Sequence, residues 1–357
     1  MSKSEYKILA VNPGSTSTKV ALFSGSSCIS SKTLSHSAQE LAHFNSISDQ
    51  YPLRKEAVMR YMLEQAIAVT DLDAVVGRGG LMKPLKGGTY RVSQPMLEDL
   101  KSCRFGQHAS NLGAIIASEI ALPNNIPAFI VNPVVVDELE PLARLSGLPE
   151  IPRRSAFHAL NQKAVAVKYS KEAGKRYDEL NLIVAHLGGG ISVGAHKMGR
   201  VIEVNNGLEE GPFSPERSGS LPVSQLVDLC FSGKYTREEI YKKLVGKGGL
   251  VAYLGTSDCK EIEAWIDNGS ENAALALEAM TYQIAREIGA CSTVLYGKVD
   301  GIIITGGIAH SKRIVSWITE RVKFIAPVKV YPGEDEMSAL AEGALRVLCG
   351  EEQAQEY

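Results

Sequence analysis

The sequence of 357 residues lacks the signatures of several broad classes of protein. No run of about 18 apolar residues could span a bilayer, and the first residues show no apolar leader, so we expect no membrane partner and a cytoplasmic location. The 6 cysteines are scattered without C-x-x-C spacing, which argues against a disulfide framework and a zinc site. A formal net charge of -2 provides no basic field for nucleic acid.

What the chain does contain is enough ordinary globular sequence for two domains. Its hydrophobic content of 45% and charged content of 22% are typical of globular proteins. The length lets each domain bury a core of its own. Two prolines within Pro149–Arg154 interrupt the periodicity and mark the expected link between the domains.

Three segments of the chain repeat one pattern, an apolar strand followed by a turn of small residues. They are Ile8–Phe23, Leu182–Val193 and Gly301–Ser311. Glycines allow positive φ and close backbone approach, so the N–H groups of such turns can converge on an anion. A single turn of this kind could equally be a tight hairpin. The repetition predicts a duplicated α/β architecture that grips a polyphosphate from both sides of a cleft.

The first turn combines hydroxyl groups with a lysine. Gly14, Ser15 and Ser17 supply amides and hydroxyls suited to phosphate oxygens, and Lys19 adds a positive charge on the outgoing strand. Asn12 ends the preceding strand, where its carboxamide can reach the water shell of a metal ion. A polar hairpin with a solvated lysine is the alternative interpretation.

The segment Asn12–Lys19 (N-P-G-S-T-S-T-K) resembles the N-x-G-S-[ST]-S-x-K signature of the acetokinase family. The resemblance implies the fold of the actin, Hsp70 and sugar kinase superfamily, with two duplicated ribonuclease H-like α/β domains and a nucleotide cleft between them. On this basis residues 1–150 form an N-terminal acetokinase-type domain, against which a C-terminal helix at about 336–357 packs back. Residues 151–335 form the nucleotide-binding domain.

Five catalytic residues are expected, which are Arg78, Asp137, His158, His186 and Arg217. His186 is expected from its position at the edge of the second glycine turn, and the resemblance implies the other four. Arg78, in G-R-G-G, matches the arginine that holds the carboxylate substrate, and Arg217, in E-R-S-G-S, matches the second active-site arginine. An exposed loop arginine is the alternative for each. His158, in R-R-S-A-F-H-A-L, matches a substrate-side histidine, or else it packs under the helix that follows.

Acidic residues in two places are the expected partners of Mg²⁺. Asp137 resembles the family's catalytic aspartate, although D-E-L-E-P replaces the family's D-T-A-F-H. The three preceding valines predict a strand that ends at Asp137, where its carboxylate could hold hydrated Mg²⁺ or cap a helix. Glu336 aligns best with the family's metal-associated glutamate, with Glu334 and Asp335 as adjacent rivals. Stabilisation of the helix dipole is the alternative for these acids. The predicted metal ligands are Asn12 and Glu336, with Asp137 acting directly or through water.

The small-residue turns contact the nucleotide phosphates in this interpretation, and His186 would donate to the transferring phosphoryl group. The expected cofactors are ATP/ADP and Mg²⁺. The residues assigned to nucleotide binding are Gly14, Ser15, Ser17, Lys19, Gly188, Gly189, Gly190, Gly306 and Gly307.

The implied activity is reversible phosphoryl transfer from ATP to a short-chain carboxylate, which forms an acyl phosphate and ADP. Acetate-specific members of the family usually carry two branched residues after the first arginine, whereas this chain has Gly79 and Gly80. The missing side chains predict room for butyrate or isobutyrate. An acetate or propionate kinase is the nearest alternative, ahead of a sugar kinase and a non-catalytic ATP-binding switch. A homo-oligomer is expected from the family.

Overall fold

The computed structural model describes residues 5–44 and 46–357. The chain divides into two compact units. The first unit contains the chain up to Val136 together with Asp335–Tyr357, and the second contains Asp137–Glu334. The domain boundary expected at residue 150 stays a prediction, because compact units and independently folding domains need not share a boundary.

The described strands form one mixed sheet in each unit. In chain order they are β1 (Lys7–Pro13), β2 (Ser17–Ser24), β3 (Ser27–Ser35), β4 (Ala74–Arg78), β5 (Thr89–Arg91), β6 (Ala128–Val131), β7 (Asn181–Leu187), β8 (Ile191–Lys197), β9 (Arg200–Val204), β10 (Gly301–Gly306) and β11 (Val328–Pro332). The first sheet has the order β3-β2-β1-β4-β6-β5, and the second has the order β11-β10-β7-β8-β9.

The two sheets repeat one topology. In the first, β1 pairs antiparallel with β2 and β2 with β3, while β1, β4 and β6 run parallel. In the second, β7, β8 and β9 form the same antiparallel run, while β7, β10 and β11 run parallel. The strand β5 extends the first sheet only. The predicted duplicated α/β fold is confirmed.

The helices of the described residues flank these sheets. They are α1 (Ala38–Leu41), α2 (Tyr51–Glu64), α3 (Gln94–Lys101), α4 (Asn111–Ala121), α5 (Ala159–Glu172), α6 (Val223–Cys230), α7 (Arg237–Leu244), α8 (Gly249–Leu254), α9 (Cys259–Asp267), α10 (Glu271–Val294), α11 (Lys312–Val322) and α12 (Glu336–Leu348). None of them, within the part of the chain that the structure describes, is long and apolar enough to cross a membrane.

Close backbone approach fixes the end of β4 against α4. A Cβ at Gly77 would lie 2.1 Å from the carbonyl oxygen of Gly113, and a Cβ at Gly113 would lie 2.2 Å from that of Arg78. Only glycines allow this packing, since side chains on either element would force the two apart. The contact places Arg78 at the carboxyl end of a buried strand.

The last helix belongs to the first unit and packs on its sheet. The helix α12 contacts β1, β4 and β6, and a Cβ at Gly343 would lie 2.5 Å from a methyl carbon of Val131. Asp335 caps the helix by accepting from the amide of Ser338 at 3.1 Å. The first residue of the helix, Glu336, therefore lies beside the ends of β1 and β4.

Some local expectations were wrong. The helical spacing of apolar residues from Tyr51 to Ala68 predicts one helix over that range, but α2 ends at Glu64. Ala66 takes a positive φ of 54°, through which no helix continues. The three valines before Asp137 do not form a strand, and the chain turns there instead. The helix α8 was not anticipated, because its glycine and short length give weak periodicity.

Candidate active site

In the first unit a polar turn joins β1 to β2 beside a cavity of about 530 Å³. The turn is closed by a hydrogen bond from the amide of Gly14 to the carbonyl oxygen of Ser17, at 2.7 Å. Predicted residues that line this cavity are Asn12, Gly14, Ser15, Ser17, Lys19, Arg78 and Glu336. The structure thus brings together seven residues that the sequence assigned to substrate, phosphate and metal.

Arg78, Asn12 and Glu336 form a polar cluster in this cavity. The carboxylate of Glu336 accepts from the guanidinium of Arg78 and from Nδ2 of Asn12 at 2.6 Å. The side chains of Arg78 and Glu336 are 24% and 17% exposed, so both are accessible from the cavity. This arrangement shows that the Arg78 guanidinium can hold a carboxylate here, and it separates Glu336 from its sequence rivals.

Those rivals have other contacts. Asp335 caps α12, as described, and Glu334 lies in the second unit with its Oε1 3.0 Å from Nε2 of His186. Glu336 is the acid of the three that contacts both Asn12 and Arg78 through its carboxylate oxygens. Its assignment as a metal ligand stays a prediction.

Two residues of the cavity were missed by the sequence analysis. Arg54 of α2 is fully buried and donates to the β1–β2 turn. His108 lines the cavity with its Nδ1 2.7 Å from Oγ of Ser110. Burial, and then the charge of Arg78, lowers the pKa of His108. The apolar spacing from Gln107 to Leu122 predicts a helix over that range, but α4 begins only at Asn111, which leaves His108 in the loop. The polar run Q-H-A-S before an apolar helix was the available signal.

Gly79 and Gly80 do not widen the cavity as predicted. A Cβ at Gly79 would lie 2.5 Å from Cβ of Pro133, and one at Gly80 would lie 2.4 Å from Oδ1 of Asn111. Neither glycine is among the residues that line the cavity. Neighbouring residues therefore fill the space that the absent side chains would leave, and the argument for a long acyl chain from these glycines is wrong.

In the second unit the glycine turn joins β7 to β8. The amide of Gly188 donates to the carbonyl oxygen of Gly190 at 3.1 Å, and Oγ of Ser214 donates to that of Gly189 at 2.6 Å. None of these three glycines has a positive φ. Positive φ, one of the two reasons expected for glycine here, is therefore wrong for this turn.

The actual reason at Gly190 is the close approach of Arg217. A Cβ at Gly190 would lie 2.1 Å from Nη1 and 2.4 Å from Cζ of that arginine. Nη1 of Arg217 also donates to the carbonyl oxygen of Gly207 at 2.8 Å. Burial lowers the pKa of Arg217, opposed by the nearby charge of Glu216. The long loop after β9 thus brings Arg217 into contact with the glycine turn.

The two predicted catalytic histidines stack on one another in this unit. The ring centroids of His158 and His186 are 3.8 Å apart, with 15° between the planes. Nδ1 of His186 lies 2.7 Å from Oδ1 of Asn161. Because a carboxamide oxygen only accepts, Nδ1 carries the hydrogen in this arrangement.

The other ring nitrogen of His186 faces a carboxylate. Nε2 lies 3.0 Å from Oε1 of Glu334, yet it has no partner with hydrogen-bond geometry among the described residues. The imidazole nitrogen and the carboxylate oxygen are therefore close together, but they do not form a well-aligned hydrogen bond. A fully buried ring nitrogen without a partner is unusual, and it suits a group that bonds to a ligand.

Behind the stack runs a buried chain of hydrogen bonds, from Ser192 through Gln162 to His196 and Tyr177. Nδ1 of His158 lies 3.3 Å from Oγ of Ser192, which accepts from Nε2 of Gln162 at 2.9 Å. The same carboxamide bonds His196, whose Nδ1 lies 2.7 Å from the Tyr177 hydroxyl. These hydrogen bonds fix the orientation of the His158 ring, and with it the stack on His186.

Asp137 does not have the surroundings that were expected. Both of its carboxylate oxygens accept from Arg144, at 2.7 and 2.8 Å, and Oδ1 also accepts from the amide of Leu139 at 3.2 Å. The carboxylate thus stabilises a turn and is already paired with a cation. The predicted position at a strand end is wrong, because the chain bends after β6.

The two glycines of the third turn differ. Gly306 has a φ of 92°, and a Cβ there would lie 2.2 Å from the carbonyl oxygen of Leu187. It is therefore required at the junction of β10 with β7, next to the strand that carries His186. A Cβ at Gly307 would meet nothing within 4 Å, so its packing does not require glycine.

Comparisons with known proteins agree with one another. The sequence profile of the acetokinase family matches residues 150–335. The chain is 60% identical over 353 residues to Butyrate kinase 1 of Clostridium acetobutylicum, and 55% identical over 354 residues to Butyrate kinase 2 of that organism. Each match covers 99% of both chains. The crystal structure of Porphyromonas gingivalis acetate kinase matches with a TM-score of 0.78 at 20% identity, over 96% of this chain and 100% of that one.

The likeness to that crystal structure concerns the fold, given its low identity. Together with the duplicated sheets, it shows a two-domain α/β protein with the actin, Hsp70 and sugar kinase fold. The family match and the two full-length relatives specify more. The chain belongs to the acetokinase family.

Proposed function

We propose that the protein is a butyrate kinase, which transfers the terminal phosphoryl group of ATP to butyrate or a related short-chain carboxylate. The products are an acyl phosphate and ADP, and the reaction is reversible. The observation that carries the proposal is 60% identity, over 99% of both chains, to a protein named Butyrate kinase 1. A carboxylate acceptor also fits the cavity of the first unit, where a guanidinium already binds a carboxylate.

The chemistry requires charge neutralisation more than proton transfer. A carboxylate is ionised at neutral pH and needs no general base. The difficulty is to bring it to a negatively charged phosphoryl group, and the groups that position and neutralise such anions supply most of the catalysis. Arg78 holds the acceptor carboxylate, and Arg217 with Lys19 neutralises the transferring group. Domain closure would exclude water from the reactants.

His186 would bind the phosphoryl group through Nε2. Its Nδ1 is engaged by Asn161, so donation from Nε2 requires a proton on both ring nitrogens. His158 supports this role by stacking on the ring. The small-residue turns, namely Gly14, Ser15, Ser17, Gly188, Gly189, Gly190, Gly306 and Gly307, would contact the nucleotide and its phosphates through backbone amides and hydroxyls.

The residues present fit Mg²⁺ at one of the two predicted places. Asn12 and Glu336 supply oxygen atoms at the cavity, and Mg²⁺ commonly takes one or two carboxylates with water and substrate phosphates. Asp137 fits less well, because it does not line this cavity and Arg144 binds both of its oxygens. Glu336 also has both oxygens engaged, by Arg78 and Asn12, but it faces the cavity, where phosphate oxygens and water can complete the coordination. No cluster of three acidic, histidine or cysteine ligands occurs within residues 5–44 and 46–357. The ion would neutralise phosphate charge when bound.

Several parts of this proposal rest on family resemblance alone. ATP and ADP are the nucleotides of acetokinase family kinases. The nucleotide cleft between two domains, the cytoplasmic location and the homo-oligomer all stay predictions. The acyl preference rests on the two relatives, because the glycines first taken to widen the pocket are tightly packed.

The test is formation of acyl phosphate, trapped as hydroxamate, from ATP and Mg²⁺ with acetate, propionate, butyrate, isobutyrate or glucose. We expect the four-carbon acids to give the highest kcat/KM, with roughly 1 to 3 kcal/mol lost per missing methylene. Best activity on acetate would make the acyl assignment wrong and leave a carboxylate kinase. No activity on any carboxylate would overturn the proposal. Arg78→Ala should abolish most activity, while exposed Arg60→Ala should not.

A further inference from the structure

We propose that Arg54 is a positioning residue that holds the β1–β2 turn in the conformation in which it binds a phosphoryl anion. The identity of the anion rests on the proposed function, whereas the shape of the turn does not. Arg54 lies on α2 and is 0% exposed, the largest fully buried side chain in the described part of the protein. It also borders the cavity that contains Asn12 and Arg78.

The guanidinium binds the turn through three carbonyl oxygens. Nη1 donates to those of Gly14 at 2.8 Å and Ser17 at 2.9 Å, and Nη2 donates to that of Ser15 at 2.9 Å. Oε1 of Gln50 accepts from Nε at 3.2 Å and from Nη2 at 2.9 Å. The planar, rigid guanidinium can reach several acceptors at once, which an ammonium group on a flexible stem cannot do in the same geometry.

These bonds also orient the amides of the turn. No peptide bond of the described chain is cis, and in a trans peptide the N–H points opposite to the C=O. With the carbonyls of Gly14 and Ser15 directed at Arg54, the amides of Ser15 and Thr16 must point away from it. Neither amide has an acceptor among the described residues. Adjacent amides oriented in this way form an anion-binding concavity.

The charge beneath the turn has no anionic partner among the described residues. Besides the carbonyls, Arg54 contacts Gln50 and Oγ1 of Thr18, at 3.2 Å, and that hydroxyl lies 2.9 Å from Nε2 of His36. Burial lowers the pKa of Arg54. A buried charge without a counter-ion is costly, and an anion bound on the outer side of the turn would supply the missing charge.

A purely structural role would have different consequences. If Arg54 only filled the space under the turn, its loss would lower the melting temperature and leave the kinetic constants of the folded fraction unchanged. If it presets the turn for an anion, its loss raises KM for the phosphoryl donor that the turn holds. When acyl phosphate is the donor, that substrate brings the transferring phosphoryl group, while ADP keeps its proposed contacts with the glycine turns of the second unit. The KM for ADP should therefore change much less than the KM for acyl phosphate.

The experiment compares Arg54→Lys, Arg54→Met and Gln50→Ala in the full chain, assayed in the direction from acyl phosphate and ADP to ATP. Arg60→Met, on the exposed face of the same helix with Glu56 as its partner, is the matched control. We expect KM for acyl phosphate to rise about tenfold or more in both Arg54 variants, because the lysine keeps the charge but not the three bonds. Gln50→Ala should give a smaller rise, and Arg60→Met none.

Inorganic phosphate binding, followed as the rise in melting temperature with phosphate, gives a second measurement that needs no activity. If the wild-type protein has no carboxylate kinase activity, the proposed function fails, and this measurement alone decides the role of Arg54. Unchanged acyl phosphate KM and unchanged phosphate binding in Arg54→Met would overturn the inference. If both Arg54 variants fail to fold, Gln50→Ala decides: unchanged constants overturn the inference, and a selectively raised acyl phosphate KM supports it.

Discussion

The β1–β2 turn and the β7–β8 turn occupy the same place in two copies of one topology. Each follows a buried strand that pairs antiparallel with the next strand and parallel with a distant one. Their surroundings nevertheless differ in almost every chemical respect. One turn has hydroxyls above a buried guanidinium, and the other has glycines beneath an arginine side chain.

In the first unit the cation lies under the turn and acts through the backbone. Arg54 binds the carbonyl oxygens of the turn, so the amides are left to face outward. In the second unit the cation lies against the turn itself, because Gly190 has no side chain to exclude Arg217. The stacked rings of His158 and His186 complete that side.

The difference shows that the two copies of the fold share the ends of their strands but not the groups that surround each turn. A turn braced by a fixed charge can present amides and hydroxyls, which suits an anion that binds in a fixed position. A turn that admits an arginine side chain presents the charge directly, which suits a group whose charge changes during the reaction. We therefore expect substitutions in the two turns to affect different kinetic constants.

The largest effect is expected from Arg217→Ala. Loss of a charge-stabilising group at the transferring phosphoryl should cost about 2 to 4 kcal/mol of transition-state stabilisation, most of it in kcat. The measurement is steady-state kinetics of hydroxamate formation with saturating ATP. Arg321→Ala, an exposed arginine that pairs with Glu278 on the same unit, is the control. A near-normal kcat in Arg217→Ala would show that Arg217, and with it the β7–β8 turn, takes no part in the chemical step.

A smaller effect is expected from Gly190→Ala, which tests why the second turn contains glycine. The added methyl would coincide with the Arg217 guanidinium, and the displaced arginine should lower kcat by about 10-fold to 100-fold.

Two matched variants sharpen the comparison. A Cβ at Gly189 comes no closer than 3.5 Å to Glu216, and one at Gly14 no closer than 3.5 Å to Ser17. Both alanine variants should therefore keep kcat within about twofold, since 3.5 Å is ordinary contact. Equal losses in all three would contradict this account.

The two turns also differ in how much of each the sequence could predict. The local pattern of strand, small residues and strand was sufficient to predict both turns and the duplicated fold. The arginine that contacts each turn could not be predicted, because it is distant in the sequence. Arg54, for example, is 40 residues from Gly14. A charged residue in a helical pattern also normally indicates the solvent-exposed face. Helical spacing likewise predicts that Leu63 lies on the apolar side of α2, whereas it is 79% exposed.

The errors at Asp137 and at Gly79 have a similar origin. A run of valines favours a strand, but pairing with a neighbouring strand decides whether one forms, and Asp137 finds Arg144 instead. The absence of a side chain suggests space, but close packing lets neighbours such as Pro133 fill it. Residue type indicated which side chains could do chemistry, and only the tertiary contacts decided which of them share a cavity.

The smallest effect concerns one buried histidine in each unit, His36 and His196, and it tests whether the two units respond alike to acid. Burial, and then the charge of Arg54, lowers the pKa of His36 from its ordinary value of 6.5, and the charge of Glu40 opposes this shift more weakly. Burial, and then the charge of Lys163, lowers the pKa of His196. In both cases the unfolded chain binds the proton first as the pH falls, so the stabilisation is complete above 6.5 and is lost as the pH falls towards the folded-state pKa.

We therefore expect the free energy of unfolding in urea to decrease between about pH 7.5 and about pH 5.5. His36→Asn and His196→Gln should each flatten this dependence, because neither replacement titrates in that range. Arg60→Ala, whose partner is a surface glutamate, should leave it unchanged. A free energy of unfolding that rises on acidification would show that these rings are protonated in the folded protein. If only His196→Gln flattens the pH dependence of the free energy of unfolding, the hydrogen bond between His36 and Thr18 offsets the effect of the Arg54 charge on His36. The two units would then differ in their response to acid, as their turns differ in composition.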